Sequence, residues 1–126
     1  MNTRVLIVED SLSQSAVIAD IVRQAGHQAV VYNTLPMGIS QILLKEQPNL
    51  VLLDLRLADE DGNPVADGFQ LCREIKKSPL HPPVVVITAE GDEEACEWAL
   101  LQGADAFIQK PFQTEELMEI LAEILG

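Results

Sequence analysis

The chain has 126 residues, 48% of them hydrophobic and 22% charged, with a formal net charge of −12. That length holds one domain with a proper core and not two, and the composition is ordinary for a soluble globular protein. The charge excludes direct binding to nucleic acid and to anionic lipid, both of which would repel it.

The N-terminus, MNTRVLIVED, carries one arginine and runs straight into apolar Val5 to Val8, a strand that ends in Glu9-Asp10. It lacks the apolar core and small-residue cleavage site of a secretory signal, and no later run is long enough to cross a membrane. The cytoplasm is the expected location. In SLSQSAVIADIVRQAG, apolar Val17, Ile18, Ile21, Val22 and Ala25 recur at helical spacing, with Ser11 or Ser13 to cap the start and Gly26 to close the end. Ala29 to Tyr32 is a second short strand. After the Asn33-Thr34 turn comes a helix around Ile39 to Glu46, weakened at its start by Gly38 and stopped by Pro48.

The rest of the chain is arranged around VLLDL, Val51 to Leu55. An unbroken apolar run after Pro48-Asn49 is a strand buried on both faces, and Asp54 stands near its exit. A carboxylate there has little water of its own; ionised it needs cations or donors, and unpaired its pKa rises. RLADEDGNPVADG follows as the longest irregular stretch, with turn signals at Asp61-Gly62 and Asp67-Gly68. Phe69, Leu71, Cys72 and Ile75 mark a third helix, ended by Ser78-Pro79. Val84 to Ile87 is another wholly apolar strand, exiting at Thr88. GDEEACEWALLQG is a fourth helix whose first turns carry acids that suit the helix dipole, closed by Gly103. Ala106 to Ile108 is a last strand, exiting at Gln109-Lys110-Pro111. Thr114 opens a final helix with Leu117, Ile120, Leu121 and Ile124 on its apolar face. Cys72 and Cys96 lack metal-ligand spacing and are expected as buried thiols. Trp98, the only tryptophan, is expected to be buried against the sheet.

Strict alternation of buried strands and amphipathic helices predicts one α/β domain over residues 1–126, a doubly wound parallel sheet with helices on both faces. All strand exits of a parallel sheet lie on one edge, where ligands of open α/β sheets bind. Glu9-Asp10, Asp54, Thr88 and Lys110 each end or follow an apolar strand, so they are expected on that rim. Each alone is weak: an acid pair at a helix entry is commonly solvated, and a lone lysine is commonly on the surface. Together they are specific. A pair of like charges about 4 Å apart costs roughly 4 kcal/mol at an effective dielectric near 20. Lys110 offsets one charge, and a hard divalent cation, Mg²⁺, suits the rest. Such a site is arranged for phosphoryl transfer, with a carboxylate beside the metal able to act as nucleophile and Lys110 and the metal balancing charge.

The ordered set VLIVED, VLLDLR, VVVITAE and GADAFIQKPF, spanning Arg4 to Leu125, resembles the receiver domain of bacterial two-component response regulators. The resemblance implies a flavodoxin-like (βα)5 sandwich with strand order 2-1-3-4-5. It implies that Asp54 accepts a phosphoryl group from a histidine kinase or histidine phosphotransfer protein and signals to a downstream effector protein or output domain. Asp10 and Asp54 would bind Mg²⁺ directly, Glu9 through water, and the backbone carbonyl of Arg56 would add a ligand. Lys110 and Thr88 would contact phosphoryl oxygens, with small Ala89 leaving the acceptor open. Thr88 would move toward the phosphoryl group as Phe107 turns inward; the competing reading of Phe107 is a plain core residue. Lys110-Pro111 matches a family position that is typically cis.

The chain departs from that pattern after the acceptor. Ala58 stands where the family has proline, and ADEDGNPVADG has several additional residues, read as a solvated acidic turn. Arg56 and Glu90 are expected to pair across the mouth of the site. Met118 and Leu125 lie at the edge of the last helix's apolar face, serving either a homodimer contact or a broad core stripe. The chain ends after its fifth helix, so any output domain is expected elsewhere. The activity expected is stoichiometric, not that of an enzyme, with slow self-dephosphorylation. A phosphatase of the haloacid dehalogenase type would want an acid two residues after the nucleophile, where Arg56 stands. The remaining alternative is a receiver-like interaction module that works without phosphorylation.

Overall fold

The structure, a computed structural model, describes residues 3–58, 61, 64–88 and 93–126. In chain order, the first half runs β1 (Arg4–Val8), α1 (Leu12–Gln24), β2 (Gln28–Tyr32), α2 (Ile39–Glu46) and β3 (Leu50–Asp54). Then come β4 (Arg56–Ala58), β5 (Pro64–Asp67), α3 (Gly68–Lys77), β6 (Val84–Thr88), α4 (Glu93–Leu101), β7 (Ala106–Gln109) and α5 (Thr114–Leu125). The main sheet is parallel throughout, in the order β2-β1-β3-β6-β7. With the β4–β5 pair set aside, that is the expected 2-1-3-4-5.

Period-two alternation sorts each strand's side chains between two cores. Val5, Ile7, Leu50, Leu52, Val85, Ile87 and Ile108 pack with α1 and α5. Leu6, Val8, Val51, Leu53, Val84 and Val86 pack with α2, α3 and α4 on the opposite face. The three inner strands are buried along their whole apolar lengths, as continuous runs of Val, Leu and Ile require in a sheet covered on both sides. Carrying the alternation through to the strand exits places Glu9, Asp54 and Lys110 on the α1–α5 face, and Thr88 on the α4 face.

Local signals explain most boundaries. Ser11 caps α1, its hydroxyl accepting from the Gln14 backbone N–H, and Gly26 closes the helix at φ 95. Asp67 caps α3 by accepting from the Phe69 N–H, and Ser78 ends it before Pro79. Cys72 and Cys96 are buried, unbridged thiols, as expected. Met118, Ile124 and Leu125 pack partly buried against the α1–α5 core, which favours the broad core stripe. No described helix is long and apolar enough to cross a membrane.

Three expectations fail, and one of the two readings of Phe107 is set aside. The stretch after Asp54 is not irregular where it is described: Arg56–Ala58 and Pro64–Asp67 pair antiparallel, with a register shift at Leu57/Ala58. Trp98 is 57% exposed, not buried. Small Cys96 and Ala99 take the inward positions of α4, and 100° per residue turns Trp98 away from them. Phe107 is 40% exposed and so no plain core residue, because β7 is an edge strand. Val17, read as part of the apolar stripe of α1, is exposed, and Ser15 is buried in that helix instead.

Candidate functional site

The exits of β1, β3 and β7 bring Glu9, Asp54 and Lys110 together, as the alternation requires. Lys110 Nζ donates to Glu9 Oε1 at 2.7 Å and to Asp54 Oδ2 at 3.3 Å. It also donates to Gln14 Oε1, one turn into α1. Glu9 is 1% exposed and Asp54 is 7% exposed, so both carboxyls sit largely out of water. Asp10 is less buried, and among the described residues Glu9, Asp10 and Asp54 each offer an oxygen within 4.8 Å of the others.

Backbone contacts hold these side chains. Glu9 Oε2 accepts from the Ser11 N–H at 3.3 Å, and the Glu9 carbonyl accepts from Asn33 Nδ2 at 2.7 Å. Asn33 also donates to buried Ser15, which ties the β2 exit to α1. Asp54 Oδ1 accepts from the Arg56 N–H at 3.0 Å. The Lys110 N–H donates to the Thr88 carbonyl at 2.7 Å, and Lys110-Pro111 is cis, as expected. Thr88 is 2% exposed on the other face of the sheet, its hydroxyl 3.6 Å from Cys96 Sγ of α4.

Gly68 supports this rim from below. It opens α3 directly against Leu55, the residue after Asp54, where an added Cβ would lie 2.4 Å from Leu55 Cα and 2.7 Å from the Leu55 carbonyl oxygen.

Electrostatics follow from burial and crowding. Burial pushes Glu9 from its ordinary 4.5 to about 8; neighbouring Asp54 adds to the rise and Lys110 opposes it. Burial pulls the Lys110 ammonium down, but the Glu9 hydrogen bond and the Asp54 charge outweigh it and hold the group above its ordinary range. A buried set of hard oxygen donors that retains a proton at neutral pH fits a small divalent cation, which would displace that proton.

The expected residues Glu9, Asp10, Asp54 and Lys110 therefore converge, and Thr88 reaches the rim from the opposite face. Arg56 is exposed, and its N–H is engaged with Asp54. Ala89 and Glu90 lie outside the described residues, as do residues 59, 60, 62 and 63 of the acidic loop. Gln14 was missed by the sequence reading. Its signal was position: four residues beyond Asp10, on the first turn of a helix that starts at the β1 exit.

An α/β fold with three acids and a lysine at one carboxyl edge defines a receiver-like class of protein, and comparison with known proteins places the chain within it. Residues 5–122 match the response regulator receiver domain family, and the chain belongs to that family. It is 32% identical over 127 aligned residues to the phosphate regulon transcriptional regulatory protein PhoB of Escherichia coli, covering 99% of this chain and 52% of PhoB. It is 31% identical over 109 residues to the transcriptional regulatory protein YxdJ of Bacillus subtilis, covering 86% of this chain and 44% of that one. The chain thus spans about half the length of these curated relatives. A structure of NtrX from Brucella abortus superposes with a TM-score of 0.85 at 30% identity, over 99% of this chain and 27% of that one. A CheY-like response regulator receiver domain protein from Methanospirillum hungatei gives 0.82 at 27% identity, over 98% and 93%. Receiver domains generally bind Mg²⁺ at an acidic pocket, and the acid cluster here occupies the corresponding kind of place.

Proposed function

We propose that this domain takes a phosphoryl group on Asp54 from a phosphohistidine of a histidine kinase or histidine phosphotransfer protein in the cytoplasm. It then passes the change to an effector protein or output domain. The observation that carries this is Lys110 Nζ bridging Glu9 and Asp54, at 2.7 and 3.3 Å, beside Asp10. An Asp54 carboxylate oxygen attacks phosphorus, the O–P bond forms as the N–P bond breaks, and the donor imidazole departs with the electron pair. Lys110, already aimed at Asp54, meets the oxygens of the arriving group, and Thr88 hydrogen-bonds one of them. Asp10, Asp54, Glu9 and the Arg56 carbonyl would hold Mg²⁺, which when bound neutralises charge on the phosphoryl oxygens. An open groove of about 480 Å³ beside Lys110, lined by Val17, Ile18, Ile21, Pro111 and Phe112, leaves room for a donor to approach along α1.

Incubation with phosphoramidate or acetyl phosphate is expected to yield a phosphoprotein that hydroxylamine cleaves, as an acyl phosphate requires. A hydroxylamine-resistant product would place the group on a hydroxyl or nitrogen instead.

The Glu9 shift gives the cation a pH dependence. In the metal-free protein the folded pKa, about 8, lies above the ordinary 4.5. The proton is therefore bound more tightly in the folded state, and that contribution to stability is lost as pH rises from 4.5 through 8. Mg²⁺ must displace the same proton, so its affinity is expected to rise with pH up to about 8 and then level off. Calorimetric titrations in buffers of different ionisation enthalpy would show proton release near neutral pH. An affinity flat with pH and without proton release would contradict this account of Glu9.

A further inference from the structure

We infer that Gln14 is a positioning residue for the phosphoryl transfer: its side-chain carbonyl fixes the direction of the Lys110 ammonium. The inference rests on the reading of Asp54 as phosphoacceptor. Lysine carries a compact ammonium with three protons on a flexible four-carbon stem, so nothing in its own chemistry sets where it points. Here Nζ makes three hydrogen bonds, to Glu9 Oε1, to Asp54 Oδ2 and to Gln14 Oε1. At a tetrahedral nitrogen, holding two N–H directions sets the third. Glu9 and Gln14 hold two, and the third is aimed at Asp54, where the phosphoryl oxygens arrive.

The three acceptors are not equivalent. Glu9 and Asp54 are carboxylates of the acid cluster that suits a cation, whereas the Gln14 amide is neutral, so its hydrogen bond to Lys110 does not depend on a carboxylate's charge. Its helix placement is independent of its side chain: the α1 cap uses the Gln14 backbone N–H, which accepts any residue. Preorganised donors are worth most where charge develops, so a loosened lysine shows in rate more than in stability.

The test is a set of Gln14 and Lys110 variants, assayed for phosphorylation by phosphoramidate at saturating Mg²⁺. Gln14→Met keeps the length and shape of the side chain and removes the strong acceptor. It is expected to slow phosphorylation about fivefold, the value of one ordinary hydrogen bond, with an unchanged melting temperature. Gln14→Met is also expected to shift the Lys110 Nζ signal in nitrogen NMR, a readout that a merely structural role for Gln14 would not move. In a Lys110→Met background the Gln14→Met substitution is expected to have no further effect on rate. Equal rates for wild type and Gln14→Met, or a further fivefold loss in the Lys110→Met background, would overturn the inference. A wild type that takes no phosphoryl group would instead overturn the reading of Asp54 on which it rests.

Discussion

Lys110→Ala is expected to slow phosphorylation of Asp54 on the order of a hundredfold, the typical effect of deleting one charge-stabilising donor from a transfer site. The same substitution is expected to strengthen Mg²⁺ binding. The ammonium lies 2.7 Å from Glu9 and 3.3 Å from Asp54, so it occupies the attraction that a dication would otherwise receive. Removing it makes the acid cluster more negative by one charge. Losing a lysine whose role was only to hold the fold would not move the two quantities in opposite directions. Phosphorylation kinetics and calorimetric Mg²⁺ titration on one variant therefore check the electrostatic account. Faster or unchanged phosphorylation, or weaker Mg²⁺ binding, would contradict it.

The largest effect on stability is expected at Gly68. A methyl group there meets backbone atoms of Leu55 at 2.4 to 2.9 Å, and backbone cannot swing aside as the end of a flexible side chain does. Either α3 or the Asp54–Arg56 segment must shift. Overpacking of this kind costs on the order of 3 kcal/mol. For a domain of this size that corresponds to roughly 10 °C in melting temperature. Gly68→Ala is also expected to slow phosphorylation, because Leu55 directly follows the acceptor. Gly38 is the contrast: a Cβ added there meets nothing within 4 Å, and Gly38→Ala is expected to leave the acceptor site unchanged. A Gly68→Ala protein with wild-type denaturation midpoint would refute the close-packing argument.

Much of the architecture was legible because the strands are so uniformly apolar. Continuous runs such as Val84 to Ile87 signalled burial on both faces, and the polar residue ending each run signalled the rim. The convergence of Glu9, Asp54 and Lys110 on one rim followed from the shared exit edge of a parallel sheet. What stayed illegible has physical causes. The β4–β5 pair is only three and four residues long, and its turn signals masked the pairing. The exposure of Trp98 depends on small Cys96 and Ala99 taking the inward side of α4, a competition that hydrophobicity alone does not decide. Phe107 is exposed because β7 lies at the sheet edge, which requires knowing the strand order first. Gln14 carries no charge and belongs to no motif, so beyond its position after Asp10 nothing marked it until Lys110 was placed in space.

Phe107 stands on the α4 side of the sheet by its register with Val86, on the face to which Thr88 also belongs. It has no hydroxyl, so a switch that moved Thr88 on phosphorylation is expected to be transmitted through packing. The exposed Trp98 on α4 is the natural reporter of such a motion, since the chain holds one tryptophan.

The central claim, that Asp54 is the phosphoacceptor, is tested most directly by intact mass after incubation with phosphoramidate. The wild-type protein with and without Mg²⁺ is compared with Asp54→Asn. The account predicts one added phosphoryl mass in the wild type, dependent on Mg²⁺ and absent from the variant. A folded wild-type protein that gains no mass, or an Asp54→Asn protein that gains it equally, would contradict that assignment.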